Sequence, residues 1–424
     1  MVKTKTFLKT YLLLTILSIG VFSSLILTEL VNRGFCAGGI IIVNPGESIK
    51  EAVDNANEGD MIIVKAGTYF ESRIVVNKTL TIVGEGVENT IIDGQGTADN
   101  IFQIIAKSVI VEKFMLHNTN PDPFSYSSAI QIYNSTEVIV KDVMITNVVI
   151  GVDIRSSNYT ELMCDRINGT MWGIRLRDAS CNSTIVSNIF EQNIAAIYFA
   201  DSQSAYSRVY HNNFINNTNH VSSPYPPITY FDNGYPSGGN YWSGFSATDL
   251  KFGPYQNETG SDGILENPAH PWDKYPLANP LTNFDVSVED KTFLVQVSTN
   301  VTVTMCSLNQ TEKSLNLFTN GPIDSVGACR VAIPKELLSY ENLSDWKVSI
   351  YYNENSELLP SLYSLPLEDA EKTYLFFRYN HTTANNRIKI IPEFSSIKVL
   401  TILLATITSA IITLKAIRPK KKKN

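Results

Sequence analysis

A repeat of 22 to 24 residues in the middle of the chain is the feature that most limits its fold. Four segments have alternating apolar residues, and the first inward-facing residues of successive segments are 22 or 23 positions apart. These residues are Ile130, Val152, Ile174 and Ile197. After each of these segments come two further repeated positions. We assign one to an apolar column of Met144, Ile167, Phe190 and Phe214, and the other to a polar column of Asn147, Thr170, Asn193 and Asn217. Repeats of this length with several short strands indicate a solenoid, in which each coil buries its apolar face against the next. The leucine and asparagine signature of leucine-rich repeats is missing, so we predict a parallel β-helix over residues 38–220.

Both ends of such a stack need a cover. Residues 48–56 place Ile49, Ala52 and Val53 on one helical face, which predicts a helix that caps the first coil. At the other end, residues 221–281 predict an irregular cap, with Trp242 as a hydrophobic plug.

Several segments resemble those of NosD-type β-helix proteins. The opening of the family is matched by residues 59–69 (GDMIIVKAGTY), 78–84 (KTLTIVG) and 90–94 (TIIDG), and its closing segment by residues 239–243 and 273–277. The resemblance implies a right-handed parallel β-helix of the pectate-lyase-like type found in carbohydrate-binding proteins and sugar hydrolases. It spans roughly residues 40–280 and implies the fold far more strongly than the chemistry.

Residues 282–391 alternate in the manner of a small β-sandwich and resemble a second module of archaeal surface proteins. The segment Ile391-Pro-Glu-Phe394 resembles the PEF-type sorting signal of such proteins. Together these stretches predict a mainly β chain: a right-handed parallel β-helix, a small β-sandwich-like domain and a C-terminal transmembrane helix.

The two ends of the chain predict its location. Residues 1–37 combine three lysines with an apolar run and read as a signal sequence. Residues 392–424 form the predicted membrane anchor, with a transmembrane segment at about 397–417 and a basic tail, Arg418 to Lys423. By the positive-inside rule the tail is cytoplasmic, so we expect a single-pass protein on the extracellular face of the membrane.

The charge of the middle region differs from that of the ends. The chain has 34 basic and 41 acidic residues, and the two ends contain 11 of the basic and 2 of the acidic ones, which leaves 23 and 39, a net charge of −16. That balance excludes nucleic acid as the expected partner. Eleven Asn-x-Ser/Thr sequons, candidates for N-glycosylation, agree with an external location. They begin at Asn77, Asn134, Asn158, Asn168, Asn182, Asn216, Asn257, Asn300, Asn309, Asn342 and Asn380.

The outward positions of the aligned strands are the candidate ligand face. Alternation places Gln131, Asp153, Arg175 and Tyr198 in one column, and Tyr133, Arg155 and Arg177 beside it. Sugars bind such surfaces through aromatic rings and polar groups. The alternative is a structural charge ladder, with Asp153 and Arg175 as a surface salt bridge.

Other candidate sites have weaker support. Asp262 and Glu266 are candidate calcium ligands, with a solvated loop as the alternative. No HxH or CxxC spacing occurs, and the histidines and methionines do not form a copper motif in the sequence. Disulfides between Cys306 and Cys329 and between Cys164 and Cys181 compete with free thiols.

The favoured function is a non-catalytic, membrane-anchored β-helix protein that binds glycans or other surface components and needs no cofactor. Only Asp153 lies outward in the aligned strands, whereas glycosidases need two carboxylates. The first alternative is a surface-displayed polysaccharide lyase or glycoside hydrolase. The second is a NosD-like accessory protein for copper-site maturation.

Overall fold

The structure is a computed structural model. It describes residues 38–392 except positions 123, 227, 246, 267–271, 341, 353–355, 361–362 and 382. The predicted signal sequence and the transmembrane segment at 397–417 lie outside the described residues. Within 38–392, apart from those gaps, no helix is long and apolar enough to cross a bilayer.

The chain divides into two compact units. The first takes residues up to Gly260 together with Ile264–Asn283 and Glu289–Lys291, and the second takes Ser261–Gly263, Phe284–Val288 and the residues from Thr292 onward.

The first unit is a parallel β-helix of about eight coils, built from three sheets. Sheet A contains β1 (Ile40–Val43), β2 (Met61–Val64), β5 (Thr81–Gly84), β8 (Ile110–Glu112), β11 (Ile139–Lys141), β14 (Glu161–Met163), β17 (Thr184–Val186) and β20 (Arg208–Tyr210). Sheet B contains β3 (Gly67–Phe70), β6 (Thr90–Thr97), β9 (Met115–Thr119), β12 (Met144–Thr146), β15 (Arg166–Asn168), β18 (Ile189–Glu191), β21 (Asn213–Ile215) and β23 (Tyr241–Trp242). Sheet C contains β4 (Ile74–Val76), β7 (Phe102–Ile104), β10 (Ser128–Tyr133), β13 (Ile150–Arg155), β16 (Trp172–Arg177), β19 (Ala195–Phe199) and β22 (Asn219–Ser222).

The predicted capping helix is confirmed as α1 (Ile49–Asn55). Ser48 caps its start by accepting a hydrogen bond from the Glu51 N–H at 3.1 Å. Ile49 and Val53 are buried in the same core cluster as the coils. Strand β1, which precedes the helix and pairs with β2, was not predicted.

The first predicted apolar column is confirmed, and the second needs one correction. Ile130, Val152, Ile174 and Ile197 are paired in register and fully buried. In the second column the residue aligned with Ile167 is Ile145, and Met144 lies beside Arg166 on the partly exposed side. A shift of one residue reverses the facing of a strand side chain, so the assignment of Met144 to the core was wrong.

The polar column also needs a correction. Thr170, Asn193 and Asn217 form a ladder, in which the Thr170 N–H donates to Asn193 Oδ1 at 2.9 Å and the Asn193 N–H donates to Asn217 Oδ1 at 2.9 Å. Asn147 is exposed instead, with φ of 52°. Asparagine tolerates the left-handed conformation that this corner requires. Asn147 is therefore a corner residue, although it is of the same type as Asn193 and Asn217 in the polar column.

A second buried ladder, missed in the sequence, runs through the turns between sheets A and B. Each side-chain oxygen accepts the backbone N–H of the preceding coil at 2.8 to 3.1 Å. Its members, in order, are Asp165, Asn188, Asn212, Asn240 and Asp273. A third ladder consists of Ser135, Ser157, Ser180 and Ser204. These side chains satisfy turn N–H groups that no sheet could pair.

Trp242 closes the last coil, as predicted. It is buried and stacks on Phe214 with ring centroids 4.3 Å apart, and its indole N–H donates to Asp273 Oδ2 at 2.8 Å. The cap beyond it contains a short hairpin, β24 (Lys251–Phe252) with β25 (Glu258–Thr259).

The second unit contains two five-stranded sheets. The first has the order β26 (Leu281–Val288), β27 (Lys291–Thr299), β30 (Val326–Pro334), β34 (Lys372–Asn380) and β33 (Tyr363–Glu368). The second has the order β28 (Thr302–Asn309), β29 (Ser314–Asn320), β35 (Asn385–Pro392), β31 (Trp346–Tyr352) and β32 (Ser356–Pro360). A 3₁₀ turn, Leu343–Asp345, precedes β31. Their inner residues form one core, which includes Val297 and Phe377 from one sheet and Leu317 and Ile388 from the other, so the unit is a β-sandwich.

Candidate functional site

The outer face of sheet C brings the predicted ligand residues together. Gln131, Asp153, Arg175 and Tyr198 occupy one column across successive strands, and Gln103 extends it by one coil. A second column contains Tyr133, Arg155 and Arg177. Parallel pairing in register therefore places all seven predicted side chains on one surface.

Asp153 is at the centre of this surface and is completely buried. Its Oδ1 accepts from Arg175 Nε at 2.7 Å and from Arg177 Nε at 3.1 Å, and its Oδ2 accepts from Arg177 at 2.8 Å. Burial alone would raise the pKa of Asp153, but the hydrogen bonds and charges of Arg177 and Arg175 outweigh it and hold the pKa below its ordinary value. The salt bridge between Asp153 and Arg175 that the charge-ladder alternative predicts is therefore formed, but it is buried rather than on the surface.

The second column is more exposed. Arg155 donates to Asp178 at 2.5 Å and lies over the Tyr133 ring, with its guanidinium carbon 5.1 Å from the ring centroid. The carboxylate of Asp201 accepts the backbone N–H of Asp178 at 2.5 Å and that of Ser204 at 2.7 Å. Every carboxylate of this face is thus engaged by a guanidinium or by turn N–H groups.

A stack of three aromatic rings borders the buried ion pair. Trp172 is parallel to Tyr198 at 5.1 Å between ring centroids, and Tyr126 is parallel to Trp172 at 6.1 Å. The Arg175 guanidinium lies 4.9 Å from the Trp172 ring and 5.4 Å from the Tyr126 ring, in cation–π geometry.

Sequence reasoning identified only Tyr198 in this stack. Simple alternation predicts that Trp172 faces inward with Ile174, yet Trp172 is partly exposed and stacks on Tyr198. The next residue is Gly173, where a Cβ would lie 2.5 Å from the Ala196 carbonyl oxygen, so the backbone approaches closely at this irregularity. A glycine at the same repeat position in the preceding coil, Gly151, was the available signal.

Tyr126 comes from a loop that precedes β10. The loop is held by its own polar groups: Asn120 Oδ1 accepts the Asp122 N–H at 2.9 Å, and Asp122 Oδ1 accepts the Phe124 N–H at 3.0 Å. These bonds present Phe124, two residues from the stack, with 81% of its surface exposed.

The calcium candidates are occupied by structural roles. Glu266 accepts from Thr248 Oγ1 at 3.1 Å and from the Leu250 N–H, and Asp262 is completely buried, with its carbonyl oxygen bound by Arg330 at 3.1 Å. Within the part of the chain that the structure describes, no group of three or more His, Cys, Asp or Glu side chains could hold a metal ion.

Cys181, Cys306 and Cys329 carry free thiols, so the pairings suggested for Cys306 with Cys329 and for Cys164 with Cys181 are not formed. Cys329 is buried beside Thr299 Oγ1 at 3.1 Å, and burial raises its pKa to about 12. Cys306 is partly exposed on the edge strand β28.

The sequon asparagines all reach the surface. Eight of the eleven are exposed and three, Asn158, Asn168 and Asn309, are partly exposed. Glycosylation at any of them would not require a buried side chain to become exposed.

Carboxyl groups with raised pKa lie in the turn ladder rather than on the outer face of sheet C. Burial raises the pKa of Asp165 well above its ordinary value, although the Val143 N–H donates to it. Burial also raises the pKa of Asp273 to about 7, against the hydrogen bonds from Asn240, Trp242 and Tyr275. The groups suited by pKa to act as acids are therefore enclosed within the fold.

Taken together, three in-register parallel sheets and an outward aromatic and arginine surface define a parallel β-helix protein. A model of the family described as "periplasmic copper-binding protein (NosD)" matches residues 53–247, so this stretch is a NosD-like β-helix. No curated protein matches the sequence.

Solved structures with similar coils are carbohydrate-active enzymes. Pectin methylesterase PemA from Erwinia chrysanthemi is 15% identical over 44% of this chain and 81% of its own, with a TM-score of 0.29. The catalytic domain of a GH87 α-1,3-glucanase is 17% identical over 52% of this chain and 49% of its own, with a TM-score of 0.34. The PL6 alginate lyase AlyGC is 14% identical over 42% of this chain and 35% of its own, with a TM-score of 0.26. Similarities this weak do not assign an activity to this chain.

Proposed function

We propose that this chain is a membrane-anchored extracellular protein whose β-helix binds glycans, without turnover, on the outer face of sheet C. The observation that carries the proposal is the aromatic stack of Tyr126, Trp172 and Tyr198 beside exposed polar groups on one rigid surface. Aromatic rings with polar tips are suited to the apolar faces and hydroxyl groups of sugars.

The charge pattern of the face supports binding rather than catalysis. Glycoside hydrolysis needs a protonated carboxyl group and a second carboxylate within about 5–10 Å. Asp153 is held ionised between Arg175 and Arg177, and Asp178 is paired with Arg155. Neither carboxylate is set up to give a proton to a leaving group.

An external location is supported by three features of the chain. The sequon asparagines are all at least partly exposed, the region between the hydrophobic ends carries a net charge of −16, and both ends have the composition of membrane or export segments. We therefore propose single-pass anchoring through residues 397–417, with other surface components as a further class of ligand.

The test uses the full-length protein in detergent on a glycan array and a polysaccharide panel. We expect binding without release of reducing or unsaturated sugars, and loss of most of the binding in Trp172→Ala. The control is Tyr255→Ala, because Tyr255 is 85% exposed and belongs to the C-terminal cap rather than to a strand of sheet C. Sugar release would show that the surface-displayed lyase or hydrolase is the correct function, and equal binding by both variants would exclude sheet C as the site.

A second candidate function, copper binding, is favoured by one arrangement on sheet B. Met115 and Met144 are register partners on β9 and β12, and His117 is two residues from Met115 on the same face. Two thioethers and an imidazole are ligands that Cu(I) prefers. The sequence separates these residues by up to 29 positions, so spacing alone did not reveal the set.

Copper binding is tested by titrating the full-length protein with Cu(I) against a colorimetric chelator. One ion per chain, lost in the double variant Met115→Leu with Met144→Leu, would support this function. Competition by neither protein would exclude it.

A further inference from the structure

The charges on the outer face of sheet C cancel within the face. Three guanidinium groups, those of Arg155, Arg175 and Arg177, meet the carboxylates of Asp153 and Asp178 directly, and the carboxylate of Asp201 lies at the adjoining turn. An anionic sugar needs an uncompensated cation, and the surrounding region is acidic overall. The face is therefore unfavourable to uronate or sulfate groups.

The polar groups that remain on this face are neutral. Gln103 donates to Gln131 Oε1 at 3.2 Å, and Gln131 approaches Asp153 Oδ2 at 3.5 Å, so the amides continue the column without adding charge. Tyr133 is 40% exposed and presents a hydroxyl group in the second column. Amides and phenols exchange hydrogen bonds with hydroxyl groups and need no charge on the ligand.

The column is long enough for several sugar rings. Gln103, Gln131, Asp153, Arg175 and Tyr198 lie on five successive strands of sheet C. At about 4.8 Å between strands, the column extends roughly 19 Å along the helix axis. A polysaccharide that follows this axis meets the partly exposed Gln103 and Gln131 at one end of the column and Tyr198 at the other, with the buried Asp153 and Arg175 between them.

Phe124 provides an exposed apolar ring two residues from Tyr126, which belongs to the aromatic stack. It is 81% exposed, and its loop is fixed by the Asn120 and Asp122 side-chain oxygens rather than by burial of the ring. An aromatic ring has few rotatable bonds, so it loses little conformational entropy when a ligand stacks on it.

From these observations we infer that the ligand is a neutral, hydroxyl-rich polysaccharide that lies along the helix axis, with a pyranose ring stacked on Phe124. This inference rests on the proposed function and specifies its ligand class. Phe124 is a specificity-determining residue outside the columns that the repeat identifies.

The experiment measures binding of the full-length protein in detergent to four immobilised polymers: a neutral β-glucan, a neutral mannan, polygalacturonate and dextran sulfate. Each is tested at about 50 mM and about 500 mM salt, since screening weakens exposed ionic contacts. We expect binding to a neutral polymer that salt leaves unchanged, and about five- to tenfold weaker binding by Phe124→Ala. Tyr255→Ala is the matched control, and circular dichroism of each variant verifies folding.

The possible failures are distinguishable. Preference for polygalacturonate or dextran sulfate, lost at high salt, would overturn the neutral-ligand inference and leave glycan binding intact. Wild-type affinity of Phe124→Ala for the neutral polymer would overturn the role of Phe124. Binding to none of the four polymers would overturn both this inference and the proposed function.

Discussion

The outer face of sheet C and the turn ladder between sheets A and B both bury carboxyl groups, but they compensate them differently. On sheet C, two guanidinium groups enclose Asp153 and lower its pKa. In the ladder, Asp165 and Asp273 receive only N–H groups, and burial raises their pKa values. A buried carboxyl group in this solenoid therefore stays ionised where arginines on neighbouring strands pair with it. Where it accepts only N–H hydrogen bonds, its pKa rises and it becomes titratable.

The largest expected effect follows from removing the ion at the centre of sheet C. In Asp153→Ala the guanidinium of Arg175, which is almost fully buried, loses its carboxylate. Breaking a buried pair on one side destabilises a protein by about 3–5 kcal/mol. The midpoint of urea or thermal unfolding should fall accordingly. Asp178→Ala is the control, because the Asp178 side chain is 45% exposed and its salt bridge with Arg155 contributes about 0–1 kcal/mol. Equal midpoints for the two variants would contradict the assignment of Asp153 as a buried ion.

The next effect comes from breaking the ladder at a neutral rung. In Asn212→Ala the Asn188 N–H loses its acceptor, and the carbonyl groups of Ile185 and Tyr210 lose a donor. We expect a destabilisation of about 2–3 kcal/mol, since buried polar groups left without partners cost about 1–3 kcal/mol each and the site relaxes in part. Asn219→Ala is the control, because Asn219 is exposed and makes only a 3.4 Å contact. A loss no greater than in the control would show that water replaces the ladder.

The pH dependence of stability separates the two regions by sign. Asp273 binds its proton more tightly in the folded protein, with a pKa of about 7, than in the unfolded chain, where it is about 3.9. Its contribution is complete below the unfolded value and is lost as the pH rises towards 7, by about 2 kcal/mol between roughly pH 5 and pH 7. Asp153, with its lowered pKa, contributes in the opposite direction, and only at more acidic pH.

The measurement compares wild type with Asp273→Asn over this pH range by thermal unfolding. The wild-type midpoint should fall with rising pH relative to the variant. A wild-type midpoint that rises relative to the variant would mean that the N–H groups of Asn240, Trp242 and Tyr275 outweigh burial.

The repeat predicts the β-helix because burial imposes the same alternation on every coil. Ile130, Val152 and Ile174 follow it, and the structure confirms them as core. The errors occur at corners: Met144 and Asn147 were aligned one residue away from the positions that the register assigns. At the corners, the residue type is a weak guide to whether a side chain points inward or outward, since residues in the left-handed conformation interrupt the period.

The candidate site was only partly predictable, for a different reason. Strand alternation identifies Asp153 and Arg175, but it does not show that Arg175 is covered, because the rings that lie against its guanidinium are those of Tyr126 and Trp172. Tyr126 belongs to a loop outside the repeat, and Trp172 lies at an irregularity next to Gly173. Contacts between a loop and strands two coils away leave no periodic trace in the sequence.

The smallest expected effect on stability concerns the aromatic stack, which contributes both to the packing of sheet C and to the proposed glycan site. In Tyr198→Leu the side chain remains apolar, but Trp172 loses its parallel partner at 5.1 Å, at an expected cost of about 0.5–1.5 kcal/mol. Tyr255→Leu is the control, because Tyr255 is 85% exposed and belongs to the C-terminal cap rather than to a strand of sheet C. If the stack orders the site, Tyr198→Leu should weaken glycan binding beyond its small effect on the unfolding midpoint, since the loop that bears Tyr126 loses its support through Trp172. If unfolding midpoint and binding change in proportion in both variants, the stack is a structural element of the coil and the ligand contacts must come from Phe124 and the amide column alone.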